Sequence, residues 1–142
     1  MSRYAHVAYC DDIRPEINGK MSLIGLYSDK MLLPDIPASL PKLGILVTAK
    51  TSFDEPFEGF EIHVVMGKQL LAELIVSEEE FLAKVKQADP NAAHQYVQAQ
   101  FLISPLHVHT SGEIAVRFKS GEWEYCCNEL KIEQAPEGAL QL

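Results

Sequence analysis

The chain has 142 residues, of which 47% are hydrophobic and 23% charged, with a formal net charge of −8. That size and apolar content suit a single domain burying roughly two-thirds of its unfolded surface. The acidic balance, with Lys and Arg scattered singly, argues against nucleic acid and anionic membranes as partners, because both need a concentrated basic face. No segment reaches the ~18 uninterrupted apolar residues of a membrane span. Met1 to His6 lacks the apolar core of a secretory signal. Three cysteines without metal-type spacing suit a reducing, cytoplasmic setting.

Short apolar/polar alternations separated by turn residues run from Tyr4 to Ile132, and a period of two places alternate side chains on one sheet face. A first strand is expected over Tyr4–Asp11, followed by a turn-rich piece, Asp12 to Lys20, whose Asn18-Gly19 pair tolerates positive φ. The next strand, Lys20–Ser28, has apolar residues on both faces, as for a strand covered on both sides. Pro34, Pro37 and Pro41 cannot donate to a ladder, so Met31 to Leu40 reads as a surface crossover. Strands follow at Lys42–Thr51, Gly59–Met66 and Lys68–Val76, with Gly67-Lys68 as a tight hairpin turn.

Ser77 and Glu80 form a capping box and open a helix over Glu78–Ala88, with Phe81, Leu82, Val85 and Ala88 on one face and Asp89-Pro90 as its stop. The chain returns to strands at Gln95–Ile103, Leu106–Thr110, Gly112–Lys119 and Glu122–Ile132, and Ser120-Gly121 makes the last hairpin. In the final strand Trp123, Tyr125 and Cys127 share one phase, whereas Leu130 and Ile132 share the other. A one-residue slip reverses the inward face, which predicts a β-bulge near Asn128-Glu129.

The pattern predicts an all-β, two-layer antiparallel β-sandwich, immunoglobulin-like or C2-like, of about seven to nine strands. One domain spans residues 1–135, and 136–142 form a flexible tail.

Candidate chemistry is sparse. His107 and His109 stand two apart on the polar face of a strand, and His63 lies beside Glu61 on another. Zinc needs three or four converging ligands, so these three histidines are weak metal candidates and surface residues by default. Cys126 and Cys127 point to opposite faces and cannot jointly hold a metal. No nucleophile elbow, phosphate-binding glycine loop or His-Glu-x-x-His helix occurs, and no cofactor is expected.

One stretch, Cys10-Asp11-Asp12-Ile13-Arg14 with Gly19-Lys20-x-Ser22-Leu23-Ile24-Gly25-Leu26-Tyr27 and the prolines from Pro34 to Pro41, resembles a small family of bacterial proteins of unknown function. The likeness is strongest over the first third of the chain and implies no activity. Its residues also have a structural reading: Asp11 and Asp12 cap the first loop through backbone bonds, and Arg14 pairs with one of them. A ligand site organised by Asp11, Asp12 and Arg14 is the other reading.

The leading functional expectation is a non-catalytic protein-binding or assembly module of a bacterial cell or its phage. The alternative is a metal-dependent or hydrolytic enzyme using the surface histidines. The expected partner is protein, including a second copy as a homodimer. The outer face of the Gln95–Ile103 strand, Tyr96, Gln98 and Gln100, carries no charge and is the candidate interface.

Overall fold

A computed structural model of the chain describes residues 3–85 and 94–137. Two sheets pack face to face. The first, sheet A, contains β1 (Tyr4–Pro15), β2 (Met21–Leu26), β5 (Leu43–Ser52) and β8 (His94–Ile103) in the order β2-β1-β5-β8. The second, sheet B, contains β3 (Lys30–Leu33), β6 (Phe60–Met66), β7 (Gln69–Val76), β10 (Gly112–Ser120) and β12 (Leu130–Gln134) in the order β3-β12-β10-β6-β7. There β11 (Trp123–Cys126) also pairs with β10. A small third sheet joins β4 (Ala38–Leu40) to β9 (Leu106–Val108). The core fills the space between the sheets with inward residues of both, Val7, Tyr9, Ile45 and Val47 against Ile62, Val64, Ile114, Val116 and Phe118.

The all-β sandwich follows from the alternation. In β8 burial strictly alternates from Gln95 to Gln100: Gln95, Val97 and Ala99 are buried, and Tyr96, Gln98 and Gln100 are exposed. The described residues nevertheless hold twelve strands rather than seven to nine. Two of the additions, β3 and β4, lie in the segment expected to be a crossover. Pro34, Pro37 and Pro41 bracket these strands instead of interrupting them, so no ladder donor is lost. The third comes from dividing the last strand, and β3 and β12 pair in parallel, a departure from a purely antiparallel sandwich.

The divided strand carries the expected bulge. Arg117 pairs with Cys126 and Ile114 with Leu130, so Cys127, Asn128 and Glu129 stand opposite only Ala115 and Val116. One extra residue resolves the phase conflict, leaving Cys127 and both Leu130 and Ile132 buried. It also releases Asn128 to reach across to sheet A. Its Nδ2 donates to the Val7 carbonyl at 2.8 Å, and its Oδ1 accepts the Val7 N–H at 2.8 Å. The buried Tyr9 hydroxyl donates to the Asn128 carbonyl, also at 2.8 Å.

Two other expectations are corrected. Strand β2 is not covered on both sides: it is an edge strand with no fully buried residue, and Leu26 is 64% exposed. The first strand runs on to Pro15, and the β1–β2 hairpin turns through Asn18 and Gly19, both at positive φ. Ile13 lies over Gly44 of β5, and the Gln100 amide contacts the Met21 sulfur at 3.9 Å. The hairpin therefore folds back over the outer face of sheet A, with Ile13 and Met21 turned toward β5 and β8 and with Ile24 and Leu26 exposed.

Helix α1 is described over Glu78–Val85, and the rest of its expected span and the Asp89-Pro90 stop lie outside the described residues. So does most of the expected flexible tail, from residue 138 onward. The capping box forms, with the Glu80 N–H donating to Ser77 Oγ at 3.1 Å. Leu82 does not share the buried face: it is 51% exposed, and among the described side chains of the helix Phe81 is the buried one, set against Phe57 and Phe60.

Candidate functional site

The sequence-selected residues fall into three places. At one end of sheet A, Asp11 opposes Gly25 across the β1–β2 pair, and its Oδ1 accepts the Tyr27 hydroxyl proton at 2.8 Å. Burial, then the hydrogen bond and charge of Asp11, push the Tyr27 phenol up to about 12. Gly25 has φ +68, and a Cβ there would collide with the Asp11 carboxylate. Asp12 accepts the Ile13 N–H at 3.0 Å and is held by Lys42 Nζ at 3.0 Å, which lowers its carboxyl pKa. Arg14 pairs with neither aspartate; its ion partner is Glu16 at 3.9 Å. The motif residues thus tie down a hairpin.

The histidines are dispersed among separate partners. His63 Nε2 lies 3.4 Å from Glu73, its neighbour on β7, rather than from Glu61. The His107 Nδ1 shares a hydrogen bond with Ser39 at 2.7 Å, and the His107 and His109 rings stack at 6.5 Å. Among the described residues no three His, Cys, Asp or Glu side chains gather around a point that a metal ion could occupy. Cys126, the last residue of β11, is exposed, and Cys127, which opens the bulge, is buried, so the two thiols point apart.

A groove of about 890 Å³ crosses the outer face of sheet B over Val65 and Ala115, flanked by Glu113, Arg117 and Lys131. Both signs of charge line it, and Glu113 shares a hydrogen bond with Glu129 that raises its carboxyl pKa. Such a rim selects no single charge class of ligand.

The third place is the free edge of sheet A. Strand β8 pairs with β5 along its whole length and, among the described residues, hydrogen-bonds to no other strand. The direction of its backbone groups follows from its neighbours. Val7 gives its N–H and carbonyl to Asn128, and Tyr9 accepts from the Tyr27 N–H at 2.8 Å, so these β1 residues face away from β5. Val47 opposes Val7 and therefore turns its own groups toward Ala99 of β8. Alternation then leaves the N–H and carbonyl of Tyr96, Gln98 and Gln100 pointing into the open edge.

Strand β8 contains no Asp, Glu, Lys or Arg. Beside that face Lys50 places its ammonium between the Tyr4 and Tyr96 rings, 6.0 and 5.3 Å from their centroids. The other sheet ends differ. β3 is four residues long and carries Lys30. β7 has a register shift opposite Val64 and Val65 and carries Glu73. β2 carries Gly25 at positive φ, where its ladder with β1 is interrupted. Each of these devices discourages strand addition, and β8 has none.

Residues 6–132 match the family of unknown function DUF6941, and the chain belongs to that family. No curated protein matches it. No described helix is long and apolar enough to cross a membrane.

Proposed function

Because family membership brings no activity with it, we propose from the geometry that this protein is a non-catalytic assembly module that works by strand addition at the β8 edge. The observation that carries this reading is the ten-residue, charge-free edge with its alternate backbone groups unpaired by any described strand. An added strand would satisfy those donors and acceptors in register, while Tyr96, Gln98 and Gln100 contact its side chains on the outer face. Tyrosine and uncharged polar groups suit the centre of such an interface. The three free thiols and the motif resemblance support an assembly inside a bacterial cell or its phage, in the cytoplasm.

Amide hydrogen exchange tests it. Raising the pure protein from about 1 µM to about 300 µM populates any self-association by mass action. Exchange at Tyr96, Gln98 and Gln100 should then slow, whereas Val97, Ala99 and Phe101, already bonded to β5, should not change. Side-chain packing without strand addition would not produce this alternation. Equal exchange at both concentrations would refute the reading.

A further inference from the structure

We infer that the strand added to β8 is β8 of a second copy, antiparallel to the first about a two-fold axis at Ala99; this rests on the strand-addition reading above. The first argument is charge. A two-fold joint places each residue near its own copy's equivalents, so any charge on the strand meets a like charge. Strand β8 has none, although the chain as a whole carries a formal net charge of −8. That lack offers an ionic partner nothing to select and costs a second copy nothing.

The second argument is register. Only residues with outward backbone groups can bond across the edge, so Tyr96, Gln98, Gln100 and Leu102 must oppose one another in even steps. Two registers overlap the strands best, one centred on Gln98 and one on Ala99. The Gln98 register sets Tyr96 against Gln100 and leaves Leu102 against His94. The Ala99 register sets Tyr96 against Leu102 twice, and Gln98 against Gln100 twice.

Tyr96 is 62% exposed and Leu102 58% exposed, the two large apolar side chains that β8 leaves open on this face. Aromatic–aliphatic cross-strand pairs are among the stabilising ones, so the Ala99 register covers what the Gln98 register leaves wet. It also places the smallest side chain at the axis. There the directly opposed residues form a non-hydrogen-bonded pair, with Cα atoms only about 4.5 Å apart.

Single-cysteine variants decide the register. In a Cys126→Ser background, Gln98→Cys and Gln100→Cys are prepared separately, one of them isotope-labelled, then mixed and oxidised. Directly opposed positions on an antiparallel pair fall within disulfide range, about 5.5 Å between Cα atoms. The mixed disulfide should form at least about tenfold faster than either variant's self-disulfide. Sedimentation of the unmodified protein is run alongside. A dimer in which Gln98→Cys links preferentially to itself overturns the Ala99 axis and leaves strand addition standing. Open polymers, or a dimer with no cross-link at either position, overturn β8–β8 pairing. A monomer at about 300 µM, the top of the exchange series, overturns both proposals together.

Discussion

The reach of Asn128 across the sandwich makes a sharp test of what the bulge contributes. Asn128→Ala removes a donor and an acceptor that together satisfy the Val7 N–H and carbonyl. At about 0.5–1.5 kcal/mol for each bond, the loss is about 2 kcal/mol. For a domain of this size that corresponds to a fall in Tm of about 5–8 °C. The Tyr9 bond goes to the Asn128 main-chain carbonyl and survives the change. Asn128→Asp adds a pH signature. Its carboxylate still accepts from the Val7 N–H but now faces the Val7 carbonyl, an oxygen it formerly donated to. That repulsion raises the introduced group's folded pKa above its unfolded value. Stability is therefore fully present below the unfolded pKa and is lost as pH rises through the folded pKa. Urea unfolding followed by circular dichroism, with wild type measured at the same pH, should show a deficit at about pH 7 that shrinks toward about pH 4 as the carboxyl protonates. An Ala variant within about 0.5 kcal/mol of wild type, the usual surface background, would refute the stitching role. So would an Asp variant whose deficit is the same at both pH values.

Gly25→Ala should cost about 2 kcal/mol or more, combining left-handed backbone strain with displacement of the Asp11 carboxylate; chemical denaturation measures it, and a neutral substitution would contradict the packing around Gly25. The exposed Cys126 should react with an alkylating reagent at about pH 8, while Cys127, pushed up to about 11 by burial, and Cys10, raised by burial, stay protected until the protein unfolds. Three comparable rates in mass-spectrometric mapping would count against the described burial. Self-association should tighten with added salt, since a formal net charge of −8 on each copy repels and the joint is uncharged. Screening lengths fall from about 30 Å at 0.01 M to about 8 Å at 0.15 M, so a dimer that weakens with salt would point to an ionic interface elsewhere. Gln98→Pro removes an outward N–H without taking a bond from β5; it should abolish association while Tm changes little, and a dimer unaffected by it would place the contact off β8.

Legibility in the sequence tracked how local each cause was. The β8 alternation, the Asn18-Gly19 turn and the Ser77–Glu80 cap are set by neighbours a few residues apart, and all three stand where the pattern put them. The phase conflict between Cys127 and Leu130 was enough to locate the bulge. Strands β3 and β4 were invisible because their pairing partners, β12 and β9, lie far along the chain and the prolines beside them read as breaks. Apolar residues on both sides of β2 suggested an interior strand; one side instead covers the outer face of its own sheet, which depends on how the hairpin folds back. The faces of Tyr96, Gln98 and Gln100 were readable, but the edge position of β8 was not, because strand order is a property of the whole sheet. Asn128 gave no advance signal, since an asparagine in a bulge looks like any turn residue until the opposite sheet is present.

The handling of edges across this fold bears on the proposed pairing of β8 with its own equivalent. A bare strand edge is a template for uncontrolled pairing, and even the short stretch of β1 beyond β2 has its Val7 groups closed by a side chain from the other sheet. Adding an unrelated strand to β8 would only move the open edge outward by one strand. Heterologous addition to β2 of the next copy would leave an edge at each end and propagate into filaments. Isologous β8 pairing uses both bare edges at once. The sheet then runs β2-β1-β5-β8 in one copy and back through β8-β5-β1-β2 in the other, and it ends on two β2 strands, each interrupted by Gly25 at positive φ. Of the strand additions weighed above, closure about a two-fold is thus the one that leaves no unprotected edge among the described strands of sheet A.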